Sequence, residues 1–288
     1  MSYKYKGDSM KDCIQVSKLS KRYKTHLALN EISFNVKEGH IYALIGENGA
    51  GKSTTMKILC TLLMKSSGDV HINGNHLEHD NKKIRSKIGI VFQDNTLDEE
   101  FTLAENLYFR GRLYLSSKQV KIRIKEVTEL LQLSSILNKK IKVCSGGQKR
   151  LSMIARALMG YPSLCILDEP TCGLDPSIRY DLWQSIMKLK QQGCTILFSS
   201  HYLEEANMAD EVCILHEGKI LYCDPLSKLM KEYQTNQLSI ETNKGKTSYE
   251  GIEVKEALNK LRDTNIKNFE YKAVSLESIY LNLIHRTL

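Results

Sequence analysis

Residues 41–54 read IYALIGENGAGKST, an apolar run that leads into a glycine-rich loop and the start of a helical pattern. The run Ile41–Ile45 is typical of a strand buried on both faces of a sheet. Gly46–Ser53 matches the spacing GxxxxGK[ST], in which backbone N–H groups cradle phosphates, the lysine reaches the terminal phosphates and the hydroxyl binds Mg²⁺. A tight structural turn would not need the Lys52–Ser53 pair. The stretch therefore predicts an α/β fold built around a phosphate-binding loop.

On either side of this stretch, the hydrophobic pattern predicts two kinds of sheet. Short alternating runs at residues 14–19 and 32–36 are typical of antiparallel strands. Apolar runs at residues 88–92, 164–167 and 195–198 alternate with helical stretches. This alternation indicates the buried strands of a parallel sheet covered by helices.

Three further segments complete the predicted organisation. Residues 66–75, SSGDVHINGN, are interpreted as a turn region because of their glycines. Residues 102–138 are expected to be helical, since apolar residues recur at helical spacing from Val120 to Leu131. From about residue 225 the pattern changes to a small strand–helix–strand–helix unit.

The composition restricts the class of protein. The 41 Lys and Arg residues outnumber the 33 acids and give a net charge of +8, but they are spread among acids along the chain. This spread favours a solvated surface over a nucleic-acid site. No run approaches the ~18 apolar residues of a membrane span. The N-terminus, MSYKYKGDSMKDC, lacks the apolar core of a signal peptide, and the eight cysteines contain no CxxC pair. We therefore expect a cytoplasmic chain with reduced cysteines.

Two carboxylates follow directly after the apolar run at 164–167. The carboxyl ends of parallel strands meet at the ligand crevice, so Asp168 and Glu169 are expected beside the phosphate loop. One acid can hold Mg²⁺, and the other can polarise an attacking water as a general base. His201 follows another predicted strand, so we expect it at the same edge, where an imidazole can donate to a γ-phosphate.

A second glycine motif stands far downstream, in VCSGGQKRLSMIARAL at residues 143–158. Apolar residues from Leu151 to Leu158 recur at helical spacing, which predicts a helix with one buried face. Glycines ahead of a helix let backbone N–H groups approach an anion, and the helix dipole favours negative charge there. The chain therefore carries two candidate phosphate sites.

In this order, the motifs resemble the nucleotide-binding subunit of an ABC transporter over roughly residues 12–225. The motifs are Gly46–Ser53, Gln93, Ser145–Gln148, Asp168–Glu169, Gly173–Pro176 and His201. The resemblance implies an α/β fold with a P-loop NTPase core, which is a RecA-like parallel sheet. It also implies an N-terminal antiparallel β subdomain, a helical subdomain at about 95–160 and a small α+β C-terminal extension at 226–288. The two glycine motifs would then serve two nucleotides in a head-to-tail dimer.

The resemblance also implies a role for each motif residue. Catalytic roles fall to Lys52, Gln93, Glu169 and His201, with Gln93 sensing Mg²⁺ and water and His201 responding to the γ-phosphate. The residues expected to bind nucleotide are Tyr23, which would stack on adenine, and Gly46, Glu47, Asn48, Gly49, Ala50, Gly51, Lys52, Ser53 and Thr54. The expected Mg²⁺ ligands are Ser53, Gln93 and Asp168. The residues expected to cap the partner's nucleotide are Ser145, Gly146, Gly147, Gln148 and Asp175.

Within the family, segments 101–114 and 274–281 resemble the drug- and antibiotic-exporter ATPases of the daunorubicin-resistance type. This resemblance implies ATP and Mg²⁺ as cofactors and a second ATP-binding subunit, in a homodimer or a heterodimer. It further implies a separate transmembrane permease, a location on the inner face of the cell membrane and no nucleic-acid partner. An importer ATPase would share every catalytic residue and stays an alternative. A soluble ABC-type ATPase acting on DNA or ribosomes is disfavoured by the single cassette and the short interval from Ser53 to Ser145.

The permease is expected to dock beside Gln93, near residues 94–105. There, acidic side chains stand next to apolar ones at Leu97, Phe101 and Leu103. The cargo would be recognised by the permease, so this sequence does not identify it.

Overall fold

The computed structural model describes residues 11–232, 236–243, 245–262, 265–272 and 275–285. Most of the N-terminal stretch on which the signal-peptide expectation rests, residues 1–10, lies outside these ranges. So does Val274, where the C-terminal resemblance to exporter ATPases begins. The chain separates into two compact units, one ending at Cys223 and one beginning at Asp224.

The first unit contains strands β1 to β10 and helices α1 to α6. The strands are β1 (Asp12–Tyr23), β2 (His26–Lys37), β3 (Ile41–Ile45), β4 (Ser67–Ile72), β5 (Asn75–His76), β6 (Ile88–Val91), β7 (Leu164–Asp168), β8 (Thr195–Ser200), β9 (Glu211–His216) and β10 (Lys219–Pro225), whose last residues pass into the second unit. The helices are α1 (Lys52–Leu59), α2 (Asn81–Arg85), α3 (Leu103–Gly111), α4 (Ser117–Leu130), α5 (Gly146–Leu158) and α6 (Pro176–Gln191).

The central sheet has the strand order β10-β9-β3-β8-β7-β6, and β9, β3, β8, β7 and β6 pair in parallel. Strands β3, β7 and β8 are buried along their whole length. They carry apolar residues without alternation because helices cover both faces of a parallel sheet. The predicted parallel α/β sheet is confirmed.

A second, antiparallel sheet has the order β2-β1-β4-β5. The predicted antiparallel strands at 14–19 and 32–36 correspond to β1 and β2. The turn predicted at 66–75 is wrong for much of its length, because it contains the strand β4. Gly68 misled the prediction: its φ is +91°, and a Cβ there would lie 2.4 Å from the Lys18 carbonyl oxygen. The glycine therefore allows close backbone approach at a strand irregularity instead of marking a turn.

Helices α3, α4 and α5 contact one another within the segment between β6 and β7. Val120, Ile124 and Val127 form the buried face of α4, as the helical spacing predicts. The segment is not one continuous helix, because it turns between α3 and α4. Ser116 begins α4 with a capping box.

The second unit has a three-stranded sheet with the order β12-β11-β13. Its described elements are α7 (Leu226–Glu232), β11 (Gln237–Thr242), β12 (Gly245–Glu250), α8 (Val254–Arg262), β13 (Ile266–Lys272) and α9 (Leu276–His285). Its small core includes Leu238, Ile240, Ile252 and Ala257. The predicted strand–helix–strand–helix pattern missed β12, because this polar edge strand, GKTSYE, shows almost no apolar alternation.

Across the ranges that the structure describes, none of the helices combines the length and the apolar character that a membrane crossing requires.

Candidate functional site

Three neighbouring strands deliver the predicted site residues to one edge of the central sheet. Strand β8 lies between β3 and β7. The phosphate-binding loop follows β3, Asp168 and Glu169 stand at the end of β7, and His201 follows β8. The carboxyl ends of parallel strands meet at this edge, so the topology brings together residues that are more than a hundred positions apart in sequence.

The phosphate-binding loop has a backbone shape that only glycine readily adopts. Gly51 has a φ of +108°, and a Cβ at this residue would lie 2.8 Å from the Ala28 carbonyl oxygen. The next residue, Lys52, begins α1, and no side chain caps this helix end. The first N–H groups of α1 therefore have no side-chain acceptor, which suits this end of the helix to binding an anion.

Lys52 places a buried cation within the loop. The residue is only 4% exposed, and its Nζ donates to the carbonyl oxygens of Gly46 at 2.7 Å and Glu47 at 3.0 Å. Burial lowers the pKa of Lys52, and the nearby charges of Glu169, Asp168 and Glu47 oppose this effect. The loop thus holds an ammonium group where negative charge from a ligand would be stabilised.

Asp168 is buried and accepts hydrogen bonds from two hydroxyl groups. Ser53 Oγ donates to Asp168 Oδ1 at 3.4 Å, and Ser199 Oγ donates to the same oxygen at 2.5 Å. Ser199 Oγ also accepts a hydrogen bond from the Glu169 backbone N–H at 3.0 Å. The serine therefore fixes the end of β7 against β8.

Glu169 and His201 lie side by side. His201 Nδ1 is 3.4 Å from Glu169 Oε1, yet this nitrogen makes no hydrogen bond among the described residues. The Nδ1 atom is buried, and the Tyr202 ring packs against the imidazole with its centre 4.0 Å away. Glu169 itself has a φ of +47°, in the left-handed region that a residue with a side chain seldom occupies.

Lys52, Ser53 and Glu169 border a cleft of about 260 Å³, whereas Asp168 and His201 are not among its lining residues. Its lining residues are Tyr23, His26, Ala28, Asn48, Gly49, Gly51, Lys52, Ser53, Thr54 and Glu169. Tyr23 is 42% exposed, and the Lys21 ammonium lies 5.1 Å from its ring centre. The sequence prediction missed His26 and Ala28, which follow Tyr23 across the turn between β1 and β2. Their place after a candidate stacking residue is a signal that could have identified them.

The remaining predicted residues do not line this cleft within the described part of the chain. Gln93 is exposed, with its Nε2 at 3.9 Å from Cys172 Sγ. Ser145 and Gln148 form a capping box at the start of α5: Ser145 Oγ accepts from Gln148 N–H and Gln148 Oε1 accepts from Ser145 N–H. Serine followed three residues later by glutamine is the sequence signature of this cap. The motif therefore has a structural role that the sequence prediction overlooked.

Arg150 is a further functional candidate that the sequence prediction missed. Its side chain is buried, and it donates to backbone carbonyls around the Asp168–Glu169 turn and to Phe92, the residue before Gln93. No motif marks these acceptors, because every residue carries a carbonyl group.

The assembled site agrees with a comparison of the sequence with known families. Residues 29–172 match the family described as ABC transporter. The chain belongs to the ABC transporter family. Its fold is accordingly that of an ABC-type ATPase, with a P-loop NTPase core, and nucleotide binding is a property of this family.

The chain is similar in sequence to ATP-binding proteins of bacteria. This chain is 36% identical to the Nod factor export ATP-binding protein I of Burkholderia lata over 208 residues. The aligned region covers 72% of this chain and 68% of that protein. The chain is 37% identical over 210 residues to the linearmycin resistance ATP-binding protein LnrL of Bacillus subtilis, again 72% of this chain and 68% of the relative. The similarity to proteins named for Nod factor export and for linearmycin resistance agrees with the resemblance to exporter ATPases.

A solved structure supports the fold. A dimeric ATP-binding cassette in a post-hydrolysis state, bound to ADP and Pi, superimposes with a TM-score of 0.68 at 28% sequence identity. The superposition covers 74% of this chain and 98% of the cassette.

Proposed function

We propose that this chain binds and hydrolyses ATP to drive a membrane exporter, as a peripheral subunit on the inner face of the cell membrane. The observation that carries the proposal is the convergence of Lys52, Asp168, Glu169 and His201 where β3, β7 and β8 end. A buried cation and an uncapped helix end suit this edge to the phosphates, while two acids stand beside them.

Nucleotide would occupy the cleft beside the phosphate-binding loop. The loop residues 46–54 would hold the phosphates through backbone N–H groups and the Lys52 ammonium. The exposed ring of Tyr23 would stack on adenine. Ser53 Oγ and Asp168 Oδ1 are hard oxygen donors already within 3.4 Å of each other, so this pair fits Mg²⁺, with Gln93 as a further ligand. When bound, Mg²⁺ would neutralise charge on the phosphate oxygens.

Glu169 would act as the general base for the attacking water. Its carboxylate borders the cleft, and its side chain is only 14% exposed. His201, whose Nδ1 lies near this carboxylate, would donate from its ring to the γ-phosphate. Gln93 would sense the nucleotide and pass its state to the helical segment that follows.

Two such chains, or this chain and a second ATP-binding subunit, would form a head-to-tail dimer. Ser145 and Gly146 are exposed and do not line the cleft of their own chain, which leaves them accessible to a partner's nucleotide. Gly147, Gln148 and Asp175 would complete that cap. That the similar cassette with bound ADP and Pi is dimeric supports the association of two subunits.

A separate permease would dock in a groove of about 290 Å³ on the helical segment. Its lining residues are Thr96, Asp98, Phe101, Asn106, Phe109, Arg110, Leu113 and Arg156. The docking prediction from sequence was partly wrong: Leu103 is fully buried and Leu97 is 7% exposed, so both belong to the core. The accessible apolar groups are instead Phe101, Phe109 and Leu113, which are 39%, 55% and 70% exposed.

Phosphate release by the purified chain tests the proposal. We expect Mg²⁺-dependent ATP hydrolysis, with Glu169→Gln lowering turnover by about a hundredfold or more, since general base catalysis contributes roughly 10²–10⁴-fold. Glu169→Gln should still bind ATP and should shift to a dimer in size-exclusion chromatography when ATP is added. Glu204→Gln, at an exposed acid outside the cleft lining, serves as the control. Equal turnover in both variants would contradict the role of Glu169.

A further inference from the structure

One guanidinium group connects three separate parts of the site. Arg150 is 7% exposed and belongs to α5, the helix that begins in the SGGQ motif. Its Nη1 donates to the Phe92 carbonyl at 2.6 Å, and its Nε donates to the Pro170 carbonyl at 2.9 Å. Its Nη2 donates to the carbonyls of Asp168 at 2.8 Å and Glu169 at 2.7 Å. All four acceptors are backbone oxygens.

The turn that Arg150 holds is strained at the proposed general base. Glu169 has a φ of +47°, a conformation that persists only where the surrounding structure imposes it. Its N–H donates to Ser199 Oγ at 3.0 Å, and its carbonyl accepts from Arg150 and from the Cys172 N–H, the latter at 3.2 Å. These bonds hold the backbone on both sides of Glu169 and so fix the direction of the Cα–Cβ bond from which its carboxylate extends.

The hydrogen bond from Arg150 to the Phe92 carbonyl reaches a different part of the chain. Phe92 follows β6 and directly precedes Gln93. Because the same planar group also holds residues 168–170, a movement of the guanidinium would either carry both segments with it or break its hydrogen bonds to one of them. Lysine cannot replace this group, since a single ammonium lacks the planar fork that addresses several acceptors at fixed angles.

We propose that Arg150 is a positioning residue for ATP hydrolysis: it aims the Glu169 carboxylate by holding the left-handed turn, and it couples that turn to the segment entering Gln93. The inference rests on the proposed ATPase function and extends it. Arg150 lies about one helical turn from Gly146, so contact between the cap and a partner's nucleotide would be transmitted to the general base.

The test compares Arg150→Lys and Arg150→Gln with a matched arginine elsewhere. Arg123 also donates to a backbone carbonyl, that of Leu158, through Nε at 3.2 Å and Nη2 at 2.8 Å, and it stacks 3.8 Å from the Tyr161 ring centre. These contacts lie away from the cleft lining. Arg123→Lys therefore controls for the loss of a guanidinium–carbonyl contact in general.

For both Arg150 variants we expect kcat for MgATP to fall about tenfold or more, because misaiming the base raises the barrier to hydrolysis. The KM should stay within about twofold, since the phosphate-binding loop is unchanged. Arg123→Lys should keep both constants within about twofold of the wild type. Thermal unfolding and ATP binding of each variant report whether it is folded.

Three results would overturn the proposal. One is a kcat of Arg150→Lys equal to that of Arg123→Lys. Another is a rise in KM as large as the fall in kcat, which would mean that the residue supports nucleotide binding. The third is failure of both Arg150 variants to fold, which would make the residue a requirement of the fold. A wild-type chain without ATPase activity would instead refute the proposed function itself.

Discussion

Gly146→Ala tests the proposed cap on a partner's nucleotide without disturbing the packing of this chain. A Cβ at Gly146 meets no atom within 4 Å, whereas a Cβ at Gly147 would lie 2.5 Å from Ile178 Cδ1 and 2.7 Å from Ile178 Cγ2. Alanine is favoured over glycine in a helix by up to about 1 kcal/mol, so Gly146→Ala should leave the free energy of unfolding unchanged or raise it by that amount. Gly147→Ala must displace Ile178 and should lower the free energy of unfolding by about 1–3 kcal/mol.

The same methyl group should interfere with the partner's nucleotide. The cap works only if backbone N–H groups of α5 approach a phosphate to about 2.9 Å. Losing one hydrogen bond to a charged group corresponds to about 1.5–3 kcal/mol, or roughly 10–100-fold. We therefore expect Gly146→Ala to reduce ATP turnover by that factor although its fold is as stable as that of the wild type.

Two assays check this prediction. Chemical denaturation gives the free energy of unfolding, and phosphate release gives turnover. Size-exclusion chromatography of Gly146→Ala combined with Glu169→Gln then shows whether ATP still drives dimerisation. Wild-type turnover and an intact ATP-dependent dimer would refute a role for the open face at Gly146. Lost activity accompanied by lost stability would point to a defect in the fold instead.

Further variants test the loop, the groove and the coupling. Lys52→Ala should weaken ATP binding about tenfold or more in a titration with labelled ATP, because it removes a charged donor, while Lys57→Ala, an exposed lysine of the same helix, should bind as the wild type does. Phe109→Ser should weaken co-purification with the permease by about 30-fold, the value for losing an aromatic anchor of about 2 kcal/mol, and should leave ATP binding intact; Tyr180→Ser, another exposed aromatic, is its control, and equal loss in both would place the permease elsewhere. Gln93→Ala should keep co-purification but lose the stimulation of ATPase activity by the permease, and unaltered stimulation would contradict coupling through this residue.

Two arrangements could be predicted from the sequence, one from local spacing and one from the general geometry of parallel sheets. The phosphate-binding loop could be identified because the residues at 46–53 serve one local backbone geometry, so their spacing alone identifies it. Asp168 and Glu169 could be placed beside it because parallel strands present their carboxyl ends at one edge. Strand β4, where a turn was predicted around Gly68, and strand β12 were missed. At both places, pairing depends on the partner strand and not on an apolar pattern in the sequence.

Only the tertiary structure showed which side chains are buried, and which residues outside any common motif are in contact. Leu103 and Phe101 are both apolar and only two positions apart, yet one is fully buried and the other is 39% exposed. The bonds of Arg150 reach residues 18 to 58 positions away. Their acceptors are carbonyl oxygens, which every residue carries, so the sequence contains no mark of them. The apolar pattern predicted the strands that precede Gln93 and the pair Asp168–Glu169. The Arg150 guanidinium, which hydrogen-bonds to the backbone beside both, could be identified only in the folded structure.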